Sequence, residues 1–127
     1  MIYLDTSVAL AELFAEERKA PDSVWAEPLV SSRLLEYEIW TRVNARGQAE
    51  THGEAARGIL ARVSLVELVP AVLVRALEPF PVPVRTLDAL HLATLHFLSS
   101  ARQPVALATF DESLRRAAVS LGLPVAF

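Results

Sequence analysis

The chain alternates short apolar runs with longer stretches in which apolar residues recur every three or four positions. Short apolar runs bounded by turn residues predict buried strands, whereas the longer period predicts helices with one apolar face. The predicted strands are Met1–Leu4, Leu29–Ser31, Ser64–Val69, Val105–Thr109 and Pro124–Phe127. Because the strands alternate with helices, the pattern predicts an α/β fold with a mostly parallel, five-stranded sheet flanked by helices.

Capping and breaking residues set the bounds of the predicted helices. Thr6 or Ser7 can cap the first helix, and Ser31 or Ser32 can cap a second one that ends before Gly47. The predicted helices after the first are Ser23–Glu27, Arg33–Ala45, Thr51–Arg62, Ala71–Leu77, Thr86–Ser99 and a last one from the Thr109–Glu112 capping box to Leu121.

Length and composition predict one folded domain over residues 1–127. A chain of 127 residues suits a single domain, and 53% hydrophobic with 21% charged residues excludes a disordered polar chain. The absence of cysteine excludes disulfides, thiolate zinc sites and cysteine nucleophiles. The first residues lack the basic region of a signal peptide, and no apolar run reaches the ~20 residues of a membrane span. We therefore expect a cytoplasmic protein without a membrane segment.

The net charge of −3 argues against a basic surface that binds nucleic acid non-specifically. An acidic chain can still reach nucleic acid through a bound metal ion, which makes the positions of its carboxylates important.

Carboxylates stand near the carboxyl ends of several predicted strands. Asp5 follows the first strand, Asp111 follows the fourth, and Glu36 and Glu38 lie early in the helix after the second. Asp5 and Asp111 each have an ordinary explanation as helix N-caps. Asp88 lies in the first turn of a helix that is apolar nearly all round, so its carboxylate must face a cleft, a partner or a metal, or interact with the helix dipole.

A cluster of these carboxylates would need protons or a cation. Two carboxylates about 4 Å apart repel by about 4 kcal/mol at an effective dielectric constant near 20. Hard oxygen ligands suit Mg²⁺ or Mn²⁺ better than zinc, and a carboxylate-bound ion of this kind supports phosphoryl hydrolysis.

Helical geometry allows only one of Glu36 and Glu38 to face such a site. Residues two positions apart on a helix point about 200° away from each other. The apolar stripe of Leu35, Ile39 and Val43 does not decide between them. Periodicity leaves both acids as candidates.

Four stretches of the chain stand out together: Leu4–Ser7 (LDTS), Val30–Leu35 leading to Glu38, Arg85–Ala93 (RTLDALHLA) and Thr109–Glu112 (TFDE). With these stretches the chain resembles the PIN domain, and more closely the VapC-type toxins of toxin–antitoxin pairs. The order and spacing of these stretches agree with the family over essentially the whole chain. The resemblance implies a three-layer PIN-like fold and an endoribonuclease that depends on Mg²⁺ or Mn²⁺.

The resemblance also implies which residues act. The family's acids fall on Asp5, Glu38, Asp88 and Asp111, with Glu38 favoured over Glu36. It implies that Asp5 and Asp88 hold the metal most directly, that Glu38 and Asp111 complete or orient its water shell, and that an activated water cleaves the RNA phosphodiester. Relatives are usually homodimers that a small cognate antitoxin neutralises.

Several other side chains are candidates for supporting roles. Thr6 and Thr109 match hydroxyl positions beside the family's acids, and Arg85 could contact the RNA backbone. The aromatic residues Trp25, Tyr37 and Trp40 could stack on bases, although core or dimer packing is favoured for Trp40. His91 is expected to pack near the core, and the histidines are poorly placed to act as a base.

Two alternative functions use a similar arrangement of acids. A receiver-like phosphoacceptor domain also gathers carboxylates around Mg²⁺, but it needs a lysine at the last strand, and the only lysine is Lys19. A non-catalytic interaction module of the same fold is the other alternative. The presence of all four acids favours the nuclease.

Overall fold

The computed structural model, which describes residues 1–102 and 104–127, has a parallel four-stranded sheet at its centre. The strands are β1 (Ile2–Leu4), β2 (Leu29–Ser32), β3 (Val63–Val66) and β4 (Ala106–Ala108). They lie in the order β3-β2-β1-β4, and each neighbouring pair is parallel. The prediction of an α/β fold with a parallel sheet is confirmed.

Helices cover both faces of this sheet. They are α1 (Thr6–Leu13), α2 (Asp22–Ala26), α3 (Leu34–Ala45), α4 (Ala49–Ala61), α5 (Pro70–Leu77), α6 (Thr86–Ser100) and α7 (Glu112–Ser120). Successive strand residues point to opposite faces, so Ile2 and Leu4 pack in a core with α1, α3 and α4, whereas Tyr3 packs with α6 and α7. No helix within the described residues is long and apolar enough to cross a membrane.

The predicted fifth strand is wrong. Pro124–Phe127 contributes a single bridge, in which Leu107 N–H donates to Pro124 O at 2.9 Å and Ala126 N–H donates to Leu107 O at 2.8 Å. Pro124 has no N–H with which to extend the pairing, so the segment forms a bridge beside β4 rather than a strand.

Two other predicted bounds also move. The third strand stops at Val66 instead of Val69, because Val69 N–H turns back to Glu67 O at 2.9 Å before α5 begins. Helix α4 begins at Ala49 with Gln48 as its N-cap, so the predicted capping residue Thr51 lies inside its first turn.

The strand order reverses between β1 and β4, and this reversal creates a cleft at their carboxyl ends. The chain runs from β1 outward through β2 to β3 and then crosses back to β4 on the other side of β1. Asp5 N–H donates to Ala108 O at 3.0 Å, which joins the two strand ends. Open α/β sheets bind ligands at such switch points, so the loops after β1 and β4 flank the expected site.

Candidate active site

Carboxylates from four separate segments line one cavity at the carboxyl-terminal edge of the sheet. Asp5 follows β1, Glu38 lies in α3, Asp88 lies in the first turn of α6, and Asp111 precedes α7. The cavity has a volume of about 640 Å³, and we call it the carboxylate cavity. The structure therefore brings together all four acids that the sequence analysis selected.

Three hydrogen bonds fix the orientation of Asp5 in the wall of this cavity. Its side chain is only 6% exposed, and its Oδ2 accepts bonds from Ser7 N–H at 3.3 Å, Ser7 Oγ at 2.5 Å and Thr109 Oγ1 at 2.8 Å. Asp5 is thus the N-cap of α1, in the place predicted for Thr6 or Ser7. Because all three bonds use Oδ2, Oδ1 is without a donor in the part of the chain that the structure describes.

Thr109 connects two of the acids. Its hydroxyl donates to Asp5 Oδ2 and accepts the N–H of Asp111 at 2.9 Å. Asp111 Oδ1 in turn accepts the N–H groups of Ser113 at 2.8 Å and Leu114 at 3.2 Å, which makes Asp111 the N-cap of α7. Capping fixes the orientation of Asp111 and leaves its Oδ2 directed elsewhere.

Arg85 bridges the two carboxylates at the rim of the cavity. Its Nη2 lies 2.9 Å from Asp111 Oδ2, and its Nε lies 3.4 Å from Asp88 Oδ2. Partial burial raises the pKa of the Asp88 carboxyl above its usual value, and the charges of Asp111 and Asp5 raise it further. Arg85 opposes this rise but does not cancel it, so the negative charge at Asp88 is incompletely compensated.

Glu38 is fixed by two side chains from other elements. Its Oε1 accepts a bond from Thr6 Oγ1 at 3.0 Å and pairs with His91 Nε2 at 2.6 Å. Nδ1 of His91 pairs with the Tyr3 hydroxyl at 2.7 Å, and this hydroxyl also accepts the N–H of Ser32 at 3.2 Å. A continuous chain of hydrogen bonds therefore runs from the sheet to the cavity wall.

The pKa of His91 is raised despite its burial. Burial by itself lowers the pKa of the imidazole, but the bond to Glu38 and the charges of Asp5, Glu38 and Asp88 outweigh it, so that the pKa of His91 is raised. Burial raises the pKa of the Tyr3 hydroxyl far above its usual value, so this group keeps its proton.

The structure separates Glu36 from Glu38. Glu36 points away from the carboxylate cavity and pairs with Arg33 Nη1 at 2.8 Å at the exposed side of α3. Arg33 also contacts Glu67 at 2.6 Å, so Glu36 belongs to a surface cluster of charges.

Comparisons with known proteins agree with this geometry. The family model described as the PIN domain matches residues 2–120. The chain belongs to the PIN domain family. It is 31% identical over 131 residues to Ribonuclease VapC35 of Mycobacterium tuberculosis (strain CDC 1551 / Oshkosh), covering 98% of this chain and 95% of that protein. It is 35% identical over 129 residues to Ribonuclease VapC46 of M. tuberculosis (strain ATCC 25618 / H37Rv), with the same coverage. No solved structure matches the chain significantly.

Sequence reasoning missed some of the side chains that shape the site of this PIN domain. His91 is predicted only to pack near the core, yet it bonds to Glu38. Thr41 and Arg42 of α3, which the sequence did not indicate, line the cavity beside Tyr37, the predicted base-stacking candidate. The spacing of Asp88 and His91 places both on neighbouring turns of α6, but it does not reveal a partner 53 positions earlier in the chain.

The donor set of this PIN domain suits a hard divalent cation. All four acids and Thr6 offer oxygen, which Mg²⁺ and Mn²⁺ prefer. Burial, and after it the charges of Asp111 and Asp5, raises the pKa of Asp88. Within residues 1–102 and 104–127, however, no three His, Cys, Asp or Glu side chains are grouped closely enough to hold a metal. The positively charged guanidinium of Arg85 lies between the carboxylates of Asp88 and Asp111.

Proposed function

We propose that this PIN domain is an endoribonuclease that depends on Mg²⁺ or Mn²⁺ and acts as the toxin of a toxin–antitoxin pair. The observation that carries the proposal is the convergence of four carboxylates from four segments on one cavity at the strand-order reversal. The names of two relatives, Ribonuclease VapC35 and Ribonuclease VapC46, support ribonuclease activity.

In this proposal Asp5 and Asp88 hold the cation most directly, and Glu38 and Asp111 complete or orient its water shell. A bound Mg²⁺ or Mn²⁺ would neutralise phosphate charge and increase the acidity of water at the scissile bond. Ser7 and Thr109 keep Asp5 in one orientation, because both hydroxyls donate to its Oδ2.

Two further side chains support the reaction. Thr6 and His91 hold Glu38 at one wall by their bonds to Oε1, so that Glu38 does not turn toward solvent. We assign to Arg85 a contact with the RNA backbone, because its side chain is 78% exposed at the cavity rim.

Ser7 does not act as a covalent nucleophile in this proposal. Its hydroxyl donates to Asp5 Oδ2 at 2.5 Å and accepts the N–H of Phe110 at 2.9 Å. Both bonds commit the hydroxyl to holding the loop after β4 against the start of α1. Water is therefore the attacking group.

The proposal includes partners and cellular context. A cognate antitoxin neutralises the enzyme, the protein is a cytoplasmic homodimer, and residues 1–127 belong to one PIN domain. The alternatives are a receiver-like phosphoacceptor and a non-catalytic interaction module. Exposed Lys19, which follows α1, does not supply the lysine that a phosphoacceptor needs beside the last strand.

Cleavage-site mapping on total RNA tests the proposal. We expect defined cleavage sites with Mn²⁺ and none with EDTA. In Asp5→Asn and Asp88→Asn the cleavage rate should fall roughly a hundredfold or more, because several kcal/mol of charge stabilisation are lost. Full activity of either variant, or cleavage in EDTA, would contradict the proposal.

Asp88→Asn should remain folded. Since the pKa of Asp88 is raised in the folded chain, folding favours the neutral carboxyl over the ionised one, and the neutral amide removes this penalty. Circular dichroism and urea unfolding would check that lost cleavage does not reflect lost structure.

A further inference from the structure

Tyr37 lies on a ridge between two cavities, with its side chain 71% exposed. On one side is the carboxylate cavity, and on the other is a cavity of about 390 Å³ along α3. Tyr37 and Thr41 line both, so the two cavities are adjacent and open onto one surface. We call the second one the α3 cavity.

Core packing does not explain the Tyr37 ring. The buried face of α3 is formed by Leu35, Ile39 and Val43, each 0% exposed. Tyr37 lies on the opposite side of the helix, and its hydroxyl makes no hydrogen bond within the described residues. A large aromatic side chain exposed at the rim of a candidate active site is typical of a binding surface.

The lining of the α3 cavity suits a flat, polar ligand. Trp40 contributes an aromatic surface whose position is supported by Arg57, with the guanidinium carbon 5.6 Å from the ring centroid. Asn44 and Thr41 contribute an amide and a hydroxyl that can donate and accept hydrogen bonds. Arg33 and Glu36 neutralise each other at one wall.

A positive charge lies at the same junction. Arg42 lines the carboxylate cavity and is exposed, and within residues 1–102 and 104–127 its side chain makes no ion pair or hydrogen bond. An unpaired guanidinium beside an exposed aromatic ring and a polar cavity complements a nucleotide, which has a phosphate, a flat base and polar base edges.

We infer that Tyr37 and the α3 cavity form a nucleobase subsite for single-stranded RNA. This inference rests on the proposed function. With the scissile phosphate in the carboxylate cavity, an adjacent base stacks on Tyr37 and presents its edge to Asn44 and Thr41, while Arg42 contacts the neighbouring phosphate. The RNA must be single-stranded there, because the bases of a duplex are stacked on each other and are not available to the ring.

Cleavage kinetics of a single-stranded RNA oligonucleotide that contains a mapped site test the inference. Tyr37→Ala should lower kcat/KM with Mn²⁺ roughly fivefold to a hundredfold, the range expected for loss of one base–aromatic stack. Tyr37→Phe and Tyr37→Trp should retain most of the activity, because they keep a ring. Phe97→Ala removes an aromatic side chain of 41% exposure from α6, outside both cavities, and should have no effect.

Abasic substrates identify the stacking partner. The same oligonucleotide is made with one base removed at a time on each side of the scissile bond. When the base that stacks on Tyr37 is removed, kcat/KM of the wild type should fall by the same factor as the Tyr37→Ala substitution causes on the intact substrate. Removing that base should lower kcat/KM of Tyr37→Ala little further. A protein-binding role for the ring would give no such dependence on the base.

Four outcomes separate the inference from the proposed function. Unchanged kcat/KM for Tyr37→Ala would overturn the nucleobase subsite alone. The same would follow if Tyr37→Ala had a lower kcat/KM than the wild type on every abasic substrate. Wild-type protein that cleaves no RNA would overturn the proposed function. RNA binding is measured independently by fluorescence anisotropy in the Asp88→Asn background, where Tyr37→Ala should weaken the affinity by a similar factor if the subsite exists; equal affinities would overturn it.

Discussion

The Asp111 carboxylate uses its two oxygens for different purposes. Oδ1 accepts the first N–H groups of α7, whereas Oδ2 faces Arg85 and the carboxylate cavity. Asp5 is similar, because it caps α1 and also lines the cavity. Capping and an active-site role, which the sequence presents as competing explanations, are therefore geometrically compatible in both residues.

Substitutions at Asp111 should separate these two purposes. Asp111→Ser keeps a capping oxygen but removes the charge, so we expect a free energy of unfolding close to wild type and reduced RNA cleavage. Asp111→Ala loses both the capping oxygen and the charge, so it should reduce RNA cleavage and also lower the free energy of unfolding by about 0.5–2 kcal/mol. Urea unfolding and cleavage assays measure the two effects, and wild-type cleavage by Asp111→Ser would contradict a role in the reaction.

Under the proposed function, Arg85 would compete with a bound cation for Asp88 and Asp111. Its guanidinium bridges both carboxylates at 3.4 and 2.9 Å, and a bound cation must weaken these contacts. Arg85→Gln should therefore bind Mn²⁺ roughly twofold to fivefold more tightly by titration calorimetry, in keeping with the strength of exposed ion pairs. Arg116→Gln, an exposed change of equal charge on α7, is the matched control. Weaker binding by Arg85→Gln would refute the competition.

At the scale of elements, α3 directs the side chains of Glu36 and Glu38 to different faces of the helix. Glu38 faces the carboxylate cavity and bonds to Thr6 and His91, whereas Glu36 pairs with Arg33 on the exposed side. The sequence establishes that the two point in different directions, but the resemblance was needed to favour Glu38. The positions of α1 and α6, which supply Thr6 and His91, decide which direction leads to the cavity.

A metal titration compares the two acids. Glu38→Gln should weaken Mn²⁺ affinity roughly tenfold to a hundredfold, as changes around metal sites commonly do. Glu36→Gln removes the same charge from the same helix and should leave the affinity unchanged. Equal losses in the two variants would show that their orientation does not matter.

At the scale of the whole molecule, α5 leaves an apolar face uncovered. Leu77 is 87% exposed and Val74 is 57% exposed, beside a cavity of about 680 Å³ bounded by the proline-rich segment 79–84. Contiguous apolar surface of this kind commonly marks an interface, and it is consistent with the proposed homodimer.

Self-association should depend on this face. We expect wild-type protein to sediment as a dimer and the double variant Val74→Glu/Leu77→Glu to sediment as a monomer, because buried carboxylates would oppose the contact. Val119→Glu, at 56% exposure on α7, controls for the added charge. A monomeric wild type at all concentrations would exclude the homodimer, and a dimeric double variant would exclude this face.

Sequence by itself determined the alternation of strands and helices, the parallel sheet and the acids that follow the strands. Short apolar runs and capping residues are local properties, so they can be recognised without the fold. The prediction of a fifth strand at Pro124–Phe127 was wrong, because pairing of this segment with β4 requires a backbone N–H that Pro124 lacks.

The tertiary structure decided how the acids are held and what surrounds them. Only the fold shows that His91 reaches Glu38 across 53 positions, that Arg85 reaches Asp111 across 26, and that Tyr37 separates two cavities. Periodicity specifies which residues share a face of a helix, but what that face meets depends on how distant elements pack. Contacts between such elements are fixed by the strand order and by how the buried faces pack together, and neither is encoded in the local spacing of residues.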